Sequence, residues 1–390
     1  VGNVQVAQGD LAGALTSYHY SLAIADRLAQ SDPGNAGWQR DLSVAHSKIG
    51  DVQVAQGDLA ASLKSYSDDL AIMERLAKSD PGNAGWQRDL SASYEKVGNV
   101  LVAQGHLAGA LKSYSDDLAI MERLAKSDPG NAQWQRDLSV SYEKVGDVQV
   151  RQGDLAGALA SYRDKLAIAD RLAQSDPGNA QWQRDLSLSY GNIGDVQMAQ
   201  GDLAAALKSY SDDLAIADRL AQSDPGNAQG QRDLSVAHSK IGDVQVAQGD
   251  LAGALKSYRY TFAIFDRLAK SDPGNAGWQR DLSLSYEKVG DVQVVQHDFA
   301  GALVSYRDSL AIRDRLAKSD PGNAGWQRDL AVTYSRLANV YRRSDDRDNA
   351  LAALRQGRAI MDRLTQLAPD NAGWKRDLAW FDDQIAALTK

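Results

Sequence analysis

No cysteine occurs in the 390 residues, which excludes a disulfide framework, a thiolate metal site and a cysteine nucleophile. Any chemistry would have to come from Asp, Glu, His, Ser or Lys. Basic clusters are scarce as well. The chain sets 43 Lys+Arg against 51 Asp+Glu, a net charge of −8, and no Lys/Arg run exceeds the pair Arg342-Arg343. Phosphate neutralisation needs a basic stripe or patch, so nucleic acid is not an expected partner. Long apolar runs are missing too. Although 43% of the residues are apolar, no stretch reaches the roughly 18 uninterrupted apolar residues of a bilayer span, and no membrane partner is expected. The sequence opens at Val1, so a targeting segment would lie upstream of what is visible. The expected setting is cytoplasmic.

Proline is rare, and its placement organises the whole chain. The eight prolines, from Pro33 and Pro81 to Pro321 and Pro369, are spaced by 48 residues without an insertion or deletion. Internal repetition at a fixed period overrides a domain count taken from length. Residues 1–390 therefore read as one repeat array: a partial unit over 1–32, seven full 48-residue units over 33–368, and a capping helix over 369–390. Residues 41–60 and 233–252 are identical, the mark of a duplicated block.

Each unit carries two helical stripes and no strand pattern. Trp38, Leu42, Ala45, Ile49 and Val52 recur at intervals of four and three, the period of one helix face; this is helix A. Leu59, Leu63, Tyr66, Leu70, Met73 and Ala77 form helix B after a break at Gly57-Asp58. That glycine suits a left-handed helix end and that aspartate an N-cap. At the other break, Pro81 stops helix B and Asn83 suits the cap of the next helix A. One hairpin cannot cover its own apolar stripe, so stacked neighbours supply the core.

The order of small and large residues resembles the tetratricopeptide repeat family along essentially the whole chain. It rests on Ile49-Gly50, Val97-Gly98 and Val145-Gly146 in helix A, on Gly57-Asp58-Leu59 and Gly153-Asp154-Leu155 at the turn, and on Ala110 with Tyr114 and Ala206 with Tyr210 in helix B. Gly50 and its equivalents allow close helix approach, and the tyrosine fills the space beside them. The unit is longer than the family's usual one, as in its kinesin-light-chain-like, long-unit bacterial variant. The resemblance implies an all-α, right-handed superhelical solenoid of antiparallel hairpins. Its concave face would be lined by helix A and would bind peptides or proteins. Carried onto this chain, the groove positions are Glu95, Asn99, Val102, Glu143, Asp147, Val150, Asp195, Met198, Asp243, Val246, Asp291 and Val294. Val44, Ser47, Asp51, Val54 and Ala55 are the equivalent positions in an earlier unit. The groove is expected to be acidic with two apolar rails, suited to a segment with basic and apolar residues. The variant that clamps a C-terminal carboxylate needs asparagine where Asp51, Asp147, Asp195, Asp243 and Asp291 stand.

No catalytic residue, metal site or cofactor is expected. The pair Arg40-Asp41 recurs in all eight copies, to Arg376-Asp377, and helix B repeats an arginine from Arg27 to Arg363. Chemistry would need one unusual copy; an ion pair inside the hairpin, Asp41 with Arg75, is the expectation. His46 and His238 replace tyrosines, while His106 and His297 replace a cap and a turn glycine, without metal-ligand spacing. Asp68-Asp69, Asp116-Asp117 and Asp212-Asp213 read as a solvated helix face. Departures from the repeat carry more information: Tyr20, Arg259 and Tyr260 form a possible convex patch, Gly230 stands where seven other units have tryptophan, and residues 335–390 diverge most. The chain is thus expected to be a non-catalytic protein- or peptide-binding scaffold. The alternative is a C-terminal regulatory arm of a larger signalling protein, suggested by the uncapped partial unit at Val1.

Overall fold

The turn residues act as their chemistry dictates. Asn83 accepts the Trp86 N–H at 3.1 Å, and Asn131, Asn275 and Asn323 do the same for Trp134, Trp278 and Trp326. At the other break Gly57 adopts φ 80° and Asp58 accepts the Ala61 N–H at 3.0 Å. His106 forms no such cap, and His297 and Asp345 are held at φ 61° and 58° where the remaining copies place glycine. That left-handed conformation costs a residue with a Cβ roughly 1–2 kcal/mol.

The computed structural model describes residues 1–389; among them there are helices and turns and no strand. Two compact units result, Val1–Gly201 and Asp202–Lys390. The first contains α1 (Gly2–Ala7), α2 (Leu11–Ser31), α3 (Ala36–Ala55), α4 (Leu59–Ser79), α5 (Ala84–Ala103), α6 (Leu107–Ser127), α7 (Ala132–Gln152), α8 (Leu155–Ser175) and α9 (Ala180–Ala199). The second contains α10 (Leu203–Ser223), α11 (Ala228–Ala247), α12 (Leu251–Ser271), α13 (Ala276–Val295), α14 (Phe299–Ser319), α15 (Ala324–Arg343), α16 (Arg347–Leu367) and α17 (Ala372–Thr389). Within each unit every helix packs on the next in sequence, so each is an α-solenoid of stacked hairpins.

Glycine in helix A and tyrosine in helix B interlock. A Cβ on Gly50 would lie 2.5 Å from the Tyr66 ring, and the same holds for Gly98 with Tyr114 and Gly242 with Tyr258. Where the glycine becomes Ala338, the tyrosine becomes Leu354, and both are buried. The volume lost on helix B makes room for the methyl gained on helix A.

The buried stripe of helix B is displaced from the one its leucines suggest. In α4 the buried residues are Ser62, Ser65, Tyr66, Asp69, Ile72, Met73, Leu76 and Ala77. Leu59, Leu63 and Leu70 are only partly buried. Small polar side chains thus occupy the closest approaches between helices, and the leucines flank them. At the C-terminal end, Phe381 of α17 is buried over Gly357 of α16. Trp380 beside it is left 43% exposed.

Candidate functional site

Large apolar residues of helix A are exposed at two repeat positions. Val44, Leu188, Val236 and Leu284 occupy one repeat position and are 44%, 36%, 37% and 45% exposed. Val54, Val150 and Val246 occupy the second, with exposures of 41%, 38% and 36%. Val102 and Met198 are half-buried. Val294 departs from the expected rail: it is buried in a cluster with Tyr306 and Leu337, against which Tyr341 packs. Tyr341 stands where most other units have glutamine, and its ring covers what is elsewhere open.

The polar positions between the rails are held in place by their own fold. Asp51 accepts from the Tyr66 hydroxyl at 2.8 Å and from Lys96 of the next helix A at 2.8 Å. Asn99 receives Tyr114 at 2.7 Å and Lys144 at 3.2 Å, and Asp243 receives Tyr258 at 2.5 Å and Lys288 at 2.6 Å. Asp291 is bonded to Tyr306 and Arg336. Burial pushes these tyrosine hydroxyls upward, and the adjoining carboxylates add to the shift at Tyr66, Tyr258 and Tyr306. Each such acid therefore joins two hairpins, and a lysine or arginine offsets its charge. Asp147 differs. It accepts from Tyr162 at 2.6 Å, but the next helix A offers Asn192 where Lys144 would have its equivalent. Asp147 is exposed and has no ion-pair partner among the described residues. Glu95 lies 3.4 Å from Lys144, and Glu143 lies 2.9 Å from the buried Lys165 ammonium. Asp195 is exposed and makes contacts of its own.

Beneath this face lies a buried polar layer that sequence reading missed. Asp68 is solvated and paired with Lys64 at 2.9 Å, as expected, but Asp69 beside it is buried. It receives hydrogen bonds from Ser43 of its own hairpin and Ser93 of the next, and burial raises its pKa. Asp117 repeats the arrangement with Ser91 and Ser141; burial, assisted by Glu95 and Asp137, pushes it up to about 6. The solvated-face expectation therefore holds for only one acid of each pair. The signal was available: later units place Lys165, Thr261, Ser309 and Gly357 at this position, a variation unlike that of a solvent face. Farther along, Arg313 replaces the core residue Met73 and reaches Glu287 at 3.0 Å inside the same layer. A cleft of about 230 Å³ between α3 and α5 has Asp69 and Met73 among its lining, together with Val44 and Ser47.

The repeated Arg-Asp pair is an ion-pair ladder of a different kind from the one expected. Arg40 meets Asp89 at 2.7 Å, Arg88 meets Asp137 at 2.9 Å and Arg136 meets Asp185 at 2.6 Å. In the second unit the rungs are Arg232–Asp281, Arg280–Asp329 and Arg328–Asp377. Arg40 bonds across to the next helix A, so these pairs set the register between hairpins rather than within one. Other departures are local. Tyr20 is 72% exposed and Tyr260 50%, the latter stacked on His238 at 4.9 Å beside the exposed Arg259. His46 and His238 are half-buried, and burial lowers both pKa values. At Gly230 a Cβ would touch only Asn227, and Arg267 reaches across to the buried Gln231 at 2.5 Å. No group of three or more His, Cys, Asp or Glu among the described residues is placed to hold a metal ion. No described helix is long and apolar enough to cross a membrane.

Several solved structures share the stacked-hairpin arrangement. BtubC (BKLC) from P. vanneervenii is similar over 66% of this chain and 92% of its own, with a TM-score of 0.53 at 19% identity. The apo form of RapI is similar over 97% of this chain and 98% of its own, with a TM-score of 0.53 at 12% identity. The chain has a tetratricopeptide-repeat-like fold. A tetratricopeptide repeat protein from Parabacteroides merdae is similar over 87% of this chain and 98% of its own, at TM-score 0.43 and 13% identity. No protein-family model matches the sequence, and no curated protein matches it either. The interlocked glycine and tyrosine described above are what give the tetratricopeptide-like hairpin its close approach here.

Proposed function

We propose that the chain is a non-catalytic scaffold that binds a protein or peptide segment along the free face of helix A. The observation that carries this reading is the recurrence of exposed large apolar residues, Val44, Leu188, Val236 and Leu284, at one repeat position. Apolar exposure that recurs at one repeat position marks an interaction surface, whereas scattered exposed residues need no explanation. Apolar side chains of the partner supply affinity at the rails. Between the rails most acids are already neutralised, so the basic residue of the partner is met at Asp147 rather than along an evenly acidic groove. Such a contact governs encounter and register more than affinity.

The test selects binding peptides from a displayed library against the full chain and measures their association with variants. Val236→Glu with Leu284→Glu is expected to weaken binding by roughly tenfold or more, since truncating or charging a central anchor commonly costs over 1 kcal/mol. Asp147→Asn keeps an acceptor for Tyr162 and is expected to slow association of peptides carrying Lys or Arg. Asp212→Asn, on the outward face beside Lys208, leaves the rate unchanged. Loss of binding confined to Tyr260→Ala and Arg259→Ala would move the contact to the opposite face and defeat the reading.

A further inference from the structure

The last step of the helix A face, between α15 and α17, differs in charge from the steps before it. Earlier steps of the second unit are spanned by an acid and a base: Asp243 with Lys288 at 2.6 Å, then Asp291 with Arg336. In the last step the acid's place is taken by Asn339 and the base's place by Gln384. Both charges are gone. At the rail position, where Val54, Val150 and Val246 stand in other units, the chain has Arg342. Its guanidinium reaches only the neutral amide oxygens of Asn339 at 3.3 Å and Gln384 at 3.4 Å, and among the described residues no carboxylate pairs with it. Arg336, also at this step, is committed to Asp291 and Glu287.

These residues surround a cleft of about 330 Å³ whose apolar wall is made by Leu354, Trp380 and Leu388. Trp380 is 43% exposed although Phe381 beside it is buried. An uncommitted guanidinium held by long bonds to neutral groups is suited to a carboxylate, which it can bind through two parallel N–H···O bonds. The indole and leucines beside it suit an adjacent apolar side chain, in the arrangement typical of binding hot spots.

We propose that the α15–α17 cleft binds a peptide segment that places a Glu or Asp side chain on Arg342 and a neighbouring large apolar side chain against Trp380. This rests on the scaffold reading and adds to it an acidic residue in the part of the partner that reaches the C-terminal cleft. The carboxylate is that of a side chain, so the segment need not end in the cleft.

The experiment uses the full chain and a fluorescein-labelled, C-terminally amidated peptide of alternating Glu and Leu, read by fluorescence anisotropy. Its counterpart has Gln in place of Glu. The expected result is that the Glu peptide binds at least about tenfold more tightly than the Gln peptide, the scale of a charge-assisted bidentate contact. Arg342→Ala removes that preference. Asn339→Asp, which restores the acid of the earlier steps, removes it as well. Both positions are exposed, so helical circular dichroism should be unchanged. Arg343→Ala is the control, because Arg343 lies over Phe299 outside the cleft lining. Equal binding of the two peptides, or an equal loss in Arg343→Ala, would overturn the proposal in favour of diffuse charge attraction. Binding only by peptides with a free C-terminus would overturn it in favour of a terminal carboxylate. If both peptides bind alike and lose affinity in Leu284→Glu but not in Arg342→Ala, the cleft assignment fails and the scaffold reading stands.

Discussion

Asp117 shows how one side chain can escape a reading made from neighbours in sequence. Adjacent residues on a helix point about 100° apart, so Asp116 reaches Lys112 at 2.7 Å in solvent while Asp117 turns inward to Ser91. Burial pushes its pKa up to about 6, above the usual carboxylate range, so the folded state holds this proton more tightly than the unfolded state does. The contribution is therefore most favourable below the unfolded value and is lost as pH rises through about 4 to 6, a change on the order of 2–3 kcal/mol. Asp117→Asn removes the titration. Urea unfolding of the two proteins at pH 4, 5, 6 and 7 is expected to show their stability difference moving in favour of the variant across that window. A difference constant with pH would contradict the assignment. The glycine–tyrosine interlock, by contrast, was legible from residue size alone. The burial of Asp69 and Asp117 was not, because charge suggests solvent and only the alignment of units reveals Lys165, Thr261 and Ser309 in the same place.

Between elements, the decisive contacts are those that repeat from hairpin to hairpin. The helix boundaries, turns and caps could be read locally, since Gly57, Asp58 and Asn83 each satisfy a backbone requirement within a few residues. The partner of Arg40 could not, because the recurring Asp41-type residue is available in every copy and periodicity does not say which copy it serves. In the structure Arg136 meets Asp185 at 2.6 Å, with side-chain exposures of 35% and 17%, more enclosed than Arg40–Asp89 or Arg88–Asp137. A double-mutant cycle with Arg136→Ala and Asp185→Ala is expected to give a coupling of about 0.5–1 kcal/mol, the upper part of the range for exposed pairs. A cycle on Asp41 and Arg75 should give a coupling near zero. The reverse ranking, measured by chemical unfolding, would return the ion pair to the interior of the hairpin.

At the scale of the molecule, the period of 48 residues makes the interfaces interchangeable, and this can be tested by excision. Removing residues 81–128 joins Asp80 to Pro129 and preserves the sequence Ser-Asp-Pro-Gly-Asn at the junction. Each contact that α4 and α3 made to the lost hairpin has a ready substitute. Arg40 would meet Asp137 in place of Asp89, Asp69 would receive Ser141 in place of Ser93, and Asp51 would receive Lys144 in place of Lys96. Because helices pack on sequence neighbours within each unit, stability is close to a sum of hairpin and interface terms. The shortened chain is therefore expected to keep its helical circular dichroism per residue, to unfold at a modestly lower midpoint, and to show a smaller urea dependence in proportion to the surface removed. Excising half a period, residues 59–82, is the opposing case. It places α5 directly after α3, so that Gly50 loses Tyr66 while Gly98 keeps Tyr114, and helicity in the first unit should fall. If the 48-residue excision destroys helicity as thoroughly as the half-period one, the contacts are not interchangeable, and the stacking of equivalent hairpins is not what holds the fold.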